Sequence, residues 1–133
     1  MSHKILIIGL SGSGKTSLAE RLVNELKDVE WFNADIVRKE VGDWDFSENG
    51  RIRQALRLSI LANSSNAKYT IIDFIAPLPK QRDIVDADVV IWMDTVTSSN
   101  YPDTDKIFVE PYKYDFKFKQ FSEIDINKIM EIL

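Results

Sequence analysis

Eight consecutive residues, Gly9-Leu-Ser-Gly-Ser-Gly-Lys-Thr16, carry the residue types and spacing of a phosphate cradle. Gly9, Gly14, Lys15 and Thr16 stand at the defining positions of the pattern G-x-x-x-x-G-K-[ST]. Glycine allows the loop to turn its backbone N–H groups inward around phosphate oxygens. A helix opening near Lys15 adds unpaired donors and the positive end of its dipole. Lys15 is then placed to reach β- and γ-phosphates, and the Thr16 hydroxyl to ligate Mg²⁺. The expected nucleotide-binding set is Gly9, Ser11, Gly12, Ser13, Gly14, Lys15, Thr16 and Ser17. A dinucleotide fingerprint fails on spacing, because Gly12-x-Gly14 would need a third glycine where Ser17 stands.

Three aspartates are candidates to act with this loop. Asp35 follows a short apolar segment about twenty residues downstream, either as a functional carboxylate facing the phosphates or as the N-cap of the next helix. Asp73 and Asp94 each end an apolar run, the form of a carboxylate that holds Mg²⁺ from a strand terminus. At most one of them serves the metal, and Asp73 is nearer the expected substrate side. The metal set read here is therefore Thr16, Asp35 and Asp73. Arg51, Arg53 and Arg57 cluster on one predicted helix. They are either a solvated basic face or a clamp for an anion, for which arginine offers paired donors. His3 carries no assigned chemistry.

The elements that must position these residues alternate. An apolar, β-branched run over 4–8 predicts a first strand, and Leu18, Leu22, Val23 and Leu26 repeat at helical spacing after the loop. Further strands are predicted over 30–33, 69–75, 89–94 and 103–109. Ser47 is the expected N-cap of the arginine-bearing helix, with Ile52, Leu56, Ile60 and, offset by one residue, Ala55 and Ser59 read as its inward face. Pro77 and Pro79 punctuate a loop, and 80–83 suggests a short exposed turn or helix. Between 112 and 121, aromatic residues nearly alternate with lysines. An edge strand packing aromatics on the core explains this better than a base-stacking surface. An amphipathic helix over 122–133 closes the chain, with Ile126, Ile129, Met130 and Leu133 inward. The fold class expected is α/β: a doubly wound, five-stranded, mostly parallel sheet with helices on both faces.

Composition bounds the rest. The 133 residues suit one domain, 1–133, with no repeat or linker. A net charge of −4 argues against non-specific nucleic-acid binding, and the absence of cysteine excludes thiol chemistry. No apolar run approaches a membrane span, and no signal peptide precedes the first strand. The expectation is a cytoplasmic protein acting on a small molecule, with no nucleic-acid or membrane partner; a homodimer is open.

Four stretches together resemble the adenylylsulfate kinase family. They are the loop itself, Phe32-Asn-Ala-Asp-Ile-Val-Arg38, Asp45-Phe-Ser-Glu-Asn-Gly-Arg51 and Phe74-Ile-Ala-Pro77, kept in order across about residues 4–95. The resemblance implies transfer of the γ-phosphoryl of ATP, with Mg²⁺, to the 3′-hydroxyl of adenylylsulfate. It implies that Lys15 and Asp35 are catalytic, with Asp35 orienting the acceptor hydroxyl. Arg38 and Arg51 would hold the phosphosulfate, Phe46, Phe74, Ile75 and Pro77 would flank the adenine, and Gln54 stands where the family has a substrate-contacting Asn. The chain departs from the family at Asn33, where the first Asp of a pair is expected, and at Pro79, where an Arg is expected. It also lacks the family's arginine-bearing lid after Asp94-Thr95, and no arginine follows Arg82. A kinase for another hydroxyl substrate, or a nucleotide-binding module without turnover, are the rival readings.

Overall fold

A computed structural model describes residues 3–133. The strands β1 (His3–Ile8), β2 (Val29–Asn33), β3 (Tyr69–Asp73), β4 (Val89–Met93) and β5 (Phe116–Phe118) form one sheet in the order β2-β3-β1-β4-β5, parallel throughout. The helices are α1 (Lys15–Glu25), α2 (Ala34–Val41), α3 (Glu48–Asn63), α4 (Pro79–Val85), α5 (Pro102–Ile107) and α6 (Ile126–Glu131).

Right-handed crossovers decide which face each helix covers. The chain leaves β1 toward the β2 edge through α1, then reverses direction for every later strand. Helices on the return path must therefore lie on the opposite face. Side-chain alternation on the central strand matches: Ile5 and Ile7 pack with Leu18 and Leu22 of α1, while Leu6 and Ile8 pack with Val37, Leu58 and Val85. Each such fully buried aliphatic side chain is worth about 1.5–3 kcal/mol of transfer free energy. α6 returns to the α1 side and buries Ile129 there, flanked by Ile126, Met130 and Leu133 as expected, although the helix is shorter than the predicted span.

Four local expectations are corrected. Residues 103–109 are not a strand: Pro102 and two acidic residues in the first turn start the helix α5, because Pro suits a helix's first position and acids suit its N-terminus. The fifth strand is instead Phe116–Phe118, a three-residue edge bearing Lys117. Its aromatics face the α1 side and stack on each other at 5.9 Å, so they are not presented to bases. On α3, Leu56 and Ile60 are exposed, and the buried stripe is Arg51, Gln54, Ala55, Leu58 and Ala62. Polar side chains can occupy this inward face because each meets a backbone carbonyl or hydroxyl there. The stretch 80–83 belongs to α4 and is partly buried through Gln81, which bonds the Leu78 N–H and the Arg51 carbonyl.

Candidate active site

The glycine-rich loop crosses the carboxyl end of β1, between β3 and β4, where the strand order reverses and ligand clefts form. Gly9 sits against β4 so closely that a Cβ would lie 2.5 Å from the Met93 carbonyl oxygen, at a φ of 150°. Gly12 and Gly14 also take positive φ, the latter with φ 98° as the residue before α1. Ser13 is buried, and its Oγ has no hydrogen-bond partner. Its carbonyl accepts from Thr95 Oγ1 at 2.7 Å, so the segment after β4 is tied to the loop. Ser17 is exposed on the first turn of α1.

Lys15 is nearly buried, 9% exposed, yet among the described residues its Nζ donates only to the Leu10 carbonyl at 3.1 Å. Burial pushes its pKa down, while the charges of Asp73 and Asp35 oppose that shift. A buried ammonium with no carboxylate in contact favours the arrival of an anion. Across the cleft, Asp73 is buried at the end of β3 and accepts from Thr16 Oγ1 at 2.9 Å and Asn33 Nδ2 at 2.8 Å. Asn33 is the N-cap of α2, its Oδ1 accepting from the Ile36 N–H at 3.1 Å, so Asp35 does not cap this helix. Asp35 lies exposed in the first turn and lines the same small cleft, about 110 Å³, with Ser11, Gly12, Lys15, Thr16, Asn33, Asp73 and Ile75. A wider groove of about 720 Å³ between α1 and the C-terminal segment is lined by mixed charges and holds none of these groups.

Burial pushes the Asp73 carboxyl up, against the hydrogen bonds from Thr16 and Asn33 and the charge of Lys15. A carboxyl whose folded pKa exceeds its unfolded value stabilises the fold below the unfolded pKa, and loses that contribution as pH rises through the folded value. At neutral pH the buried charge is thus a net cost to the ligand-free protein. Asp73→Asn is expected to melt no lower than the native protein at pH 7, as measured by calorimetry. A clear fall in melting temperature would mean that the two hydrogen bonds outweigh burial.

Beside the cleft, α2, α3 and the loop between them gather the arginines. Arg38, 3% exposed, donates through Nη1 to the carbonyls of Asp43 and Asp45, and its guanidinium lies 4.5 Å from the Phe46 ring centroid. Arg51, 6% exposed, donates from Nε to the Phe46 carbonyl at 2.8 Å and from Nη2 to Thr104 Oγ1 at 3.0 Å. Burial lowers both pKa values. Among the described residues, neither arginine has a carboxylate at ion-pair distance. Arg53 and Arg57, by contrast, are spent on Asp43, whose carboxyl they hold well below the usual range. The predicted cluster of Arg51, Arg53 and Arg57 therefore divides: Arg51 is buried with Arg38, and the other two pin the loop through Asp43.

The remaining expected contacts separate in the same way. Phe46 is half exposed, and Ile75 borders the cleft. Phe74 and Pro77 are buried, Phe74 within the core cluster of the α3 side while also lining the cleft. Gln54 is fully buried, with Nε2 donating to the Ala34 carbonyl at 2.9 Å and Oε1 accepting from Arg57, so it braces α3 against the cleft wall and presents no free amide to a ligand. Asp94, the other strand-end carboxylate, faces Lys117 and Lys119. Thr95, Thr104 and the capping role of Asn33 were not anticipated from sequence. Only Asn33 carried a signal: a capping residue type directly before a helix.

A parallel sheet of this order, a glycine loop running into α1, and a buried lysine beside a strand-end aspartate define the P-loop kinase fold. The chain belongs to the adenylylsulphate kinase family, whose family model matches residues 1–97. Solved structures share the fold. Mycobacterium tuberculosis APS kinase CysC in complex with AMPPNP and APS is 18% identical with a TM-score of 0.71, covering 98% of this chain and 94% of that one. The Cys556Ala mutant of the same enzyme is 20% identical with a TM-score of 0.70, covering 98% and 93%. Shikimate kinase from Acinetobacter baumannii in complex with shikimate is 14% identical with a TM-score of 0.65, covering 99% and 93%. No curated protein matches the sequence. No helix among the described residues is long and apolar enough to cross a membrane.

Proposed function

We propose that this single domain binds MgATP on the glycine loop and transfers its γ-phosphoryl group to the 3′-hydroxyl of adenylylsulfate. The observation that carries the acceptor assignment is the pair of buried arginines, Arg38 and Arg51, bonded only to neutral oxygens beside the cleft. A phosphosulfate would supply the missing negative charge, and each guanidinium keeps N–H groups for it. Phe46 and Ile75 provide apolar surface for the acceptor's base, and the family membership supports the same choice.

The donor set suits Mg²⁺. No group of three acidic or histidine side chains is gathered among the described residues. Thr16, Asp73 and Asp35 thus offer a partial set of oxygens, the kind that Mg²⁺ completes with phosphate and water. When bound, the ion would neutralise charge on the phosphates. The chain's own residues do the positioning. Lys15 holds the phosphates, Asn33 and Thr16 orient Asp73, and Asp35 takes the hydrogen bond of the acceptor hydroxyl. Phosphoryl transfer asks for such placement and charge neutralisation more than for covalent help.

Arg51→Ala tests the acceptor. Adenylylsulfate binding, read by titration calorimetry, is expected to weaken by about 1.5–3 kcal/mol, the range for losing a hydrogen bond to a charged group. ADP binding should be unchanged. Equal affinity of the native protein for adenylylsulfate and adenosine monophosphate would favour a different hydroxyl substrate. The non-catalytic reading draws on one observation: Arg82, the last arginine, is tied to the carbonyls of Ala76, Pro77 and Val109 and is not free to reach a phosphate. A cation from α5, Lys106, is the remaining candidate for that role.

A further inference from the structure

We infer that Thr104 is a positioning residue for the acceptor side, through which the short segment after β4 sets the direction of Arg51; this rests on the acceptor reading above. Residues 96–109 are a strap held at both ends. At its start Thr95 bonds the Ser13 carbonyl in the glycine loop. At its end the Val109 N–H donates to the Pro77 carbonyl at 2.8 Å, Arg82 Nη2 donates to the Val109 carbonyl at 2.5 Å, and Phe108 stacks on Trp92 at 6.5 Å. Between these anchors Asp105 closes the strap on itself, accepting from Ser99 N and Oγ at 2.7 and 2.6 Å. Among the described residues, Thr104 is the one α5 side chain that bonds a residue outside the strap.

Its partner is one of the two buried guanidinium groups without counterions. The Phe46 carbonyl fixes Nε and the Thr104 hydroxyl fixes Nη2, so two points of a rigid planar fork are set and the plane of the guanidinium with them. Both fixing groups are neutral, so the cation is oriented with no carboxylate among the described residues bonded to it, the charge of Asp103 acting on it only from beyond ion-pair distance. Without the hydroxyl, a buried N–H either stays unpaired or turns the guanidinium toward another acceptor. Either outcome moves the donors that would meet the acceptor anion. The strap also runs from the nucleotide loop to the Pro77 turn, with Thr104 between its two anchors.

The test compares native protein, Thr104→Val and Thr104→Ser, with Thr104→Ala replacing Thr104→Val should that variant fail to fold. Each is titrated with ADP–Mg²⁺ and with adenylylsulfate, melted, and assayed for transfer. Thr104→Val is expected to bind adenylylsulfate about tenfold more weakly and to raise the acceptor KM by a similar factor, the equivalent of one hydrogen bond to a charged group. ADP affinity and the KM for ATP should stay at native values, the melting temperature should fall by no more than the cost of one unpaired buried N–H, and Thr104→Ser should recover both acceptor binding and melting temperature. Native acceptor binding by Thr104→Val overturns the inference. So does a loss of ADP affinity in step with acceptor affinity, or a failure of serine to restore binding, since these mark a general packing role. Native protein that binds ADP but not adenylylsulfate rejects the acceptor reading itself, and the inference falls with it.

Discussion

Lys15→Ala is expected to weaken ADP–Mg²⁺ binding by one to two orders of magnitude, measured by titration calorimetry, while the protein keeps its fold. The physical basis is the state of the lysine before any ligand arrives. Its ammonium is nearly buried, its pKa is lowered by burial, and its only hydrogen-bond partner among the described residues is the Leu10 carbonyl. Removing a charged donor aimed at an anion costs about 1.5–3 kcal/mol, which is roughly 10–150-fold in affinity. Alanine also removes a buried charge, so the ligand-free variant should melt at or above the native temperature. Binding curves that superimpose on those of the native protein would end the assignment of the loop to phosphates. Thr16→Ala is expected to reduce the Mg²⁺ dependence of the same curves.

Asp35→Asn is expected to leave ADP binding nearly intact while lowering transfer by about 10²–10⁴, the usual contribution of a positioned acid–base group. Asp35 is exposed in the first turn of α2 and lines the same cleft as Thr16 and Ile75. Because Asn33 caps the helix, the substitution leaves the cap intact, and a loss of activity would report chemistry and not unfolding. Absolute turnover is itself informative. An arginine finger is worth about 10³–10⁵ in rate, and Arg82, the last arginine of the sequence, is tied to the backbone carbonyls of Ala76 and Val109. Turnover is therefore expected to fall well below that of relatives with an arginine-bearing lid. ATP hydrolysis without acceptor is expected to be measurable in the same assay. A rate matching those relatives, unaffected by Lys106→Ala, would show that the lid's arginine is dispensable here. Firm ATP binding with no transfer to any hydroxyl acceptor would support the non-catalytic reading.

The sequence by itself determined the α/β class, the central strand and the glycine loop, and narrowed the carboxylate beside that loop to two strand-end aspartates, of which the fold brings Asp73 to Thr16. These are local signals. A glycine pattern needs only eight residues to state its chemistry, and a strand buried on both faces reads as a continuous apolar run wherever it stands. The capping role of Ser47 was equally local and is met, its Oγ accepting from the Gly50 N–H at 3.1 Å. Tertiary structure decided what depended on partners distant in the chain. Ile52, Leu56 and Ile60 have the spacing of an inward face, yet the core took the stripe through Gln54 and Leu58, because Ala34 and Gln81 offer polar partners that side. Arg51 and Arg53 are two residues apart and chemically alike. One became a buried cation bonded to Thr104, 53 residues away, and the other a surface partner of Asp43. Composition cannot separate two such arginines, because a guanidinium acquires its role from the oxygens that surround it, and folding alone brings those oxygens together.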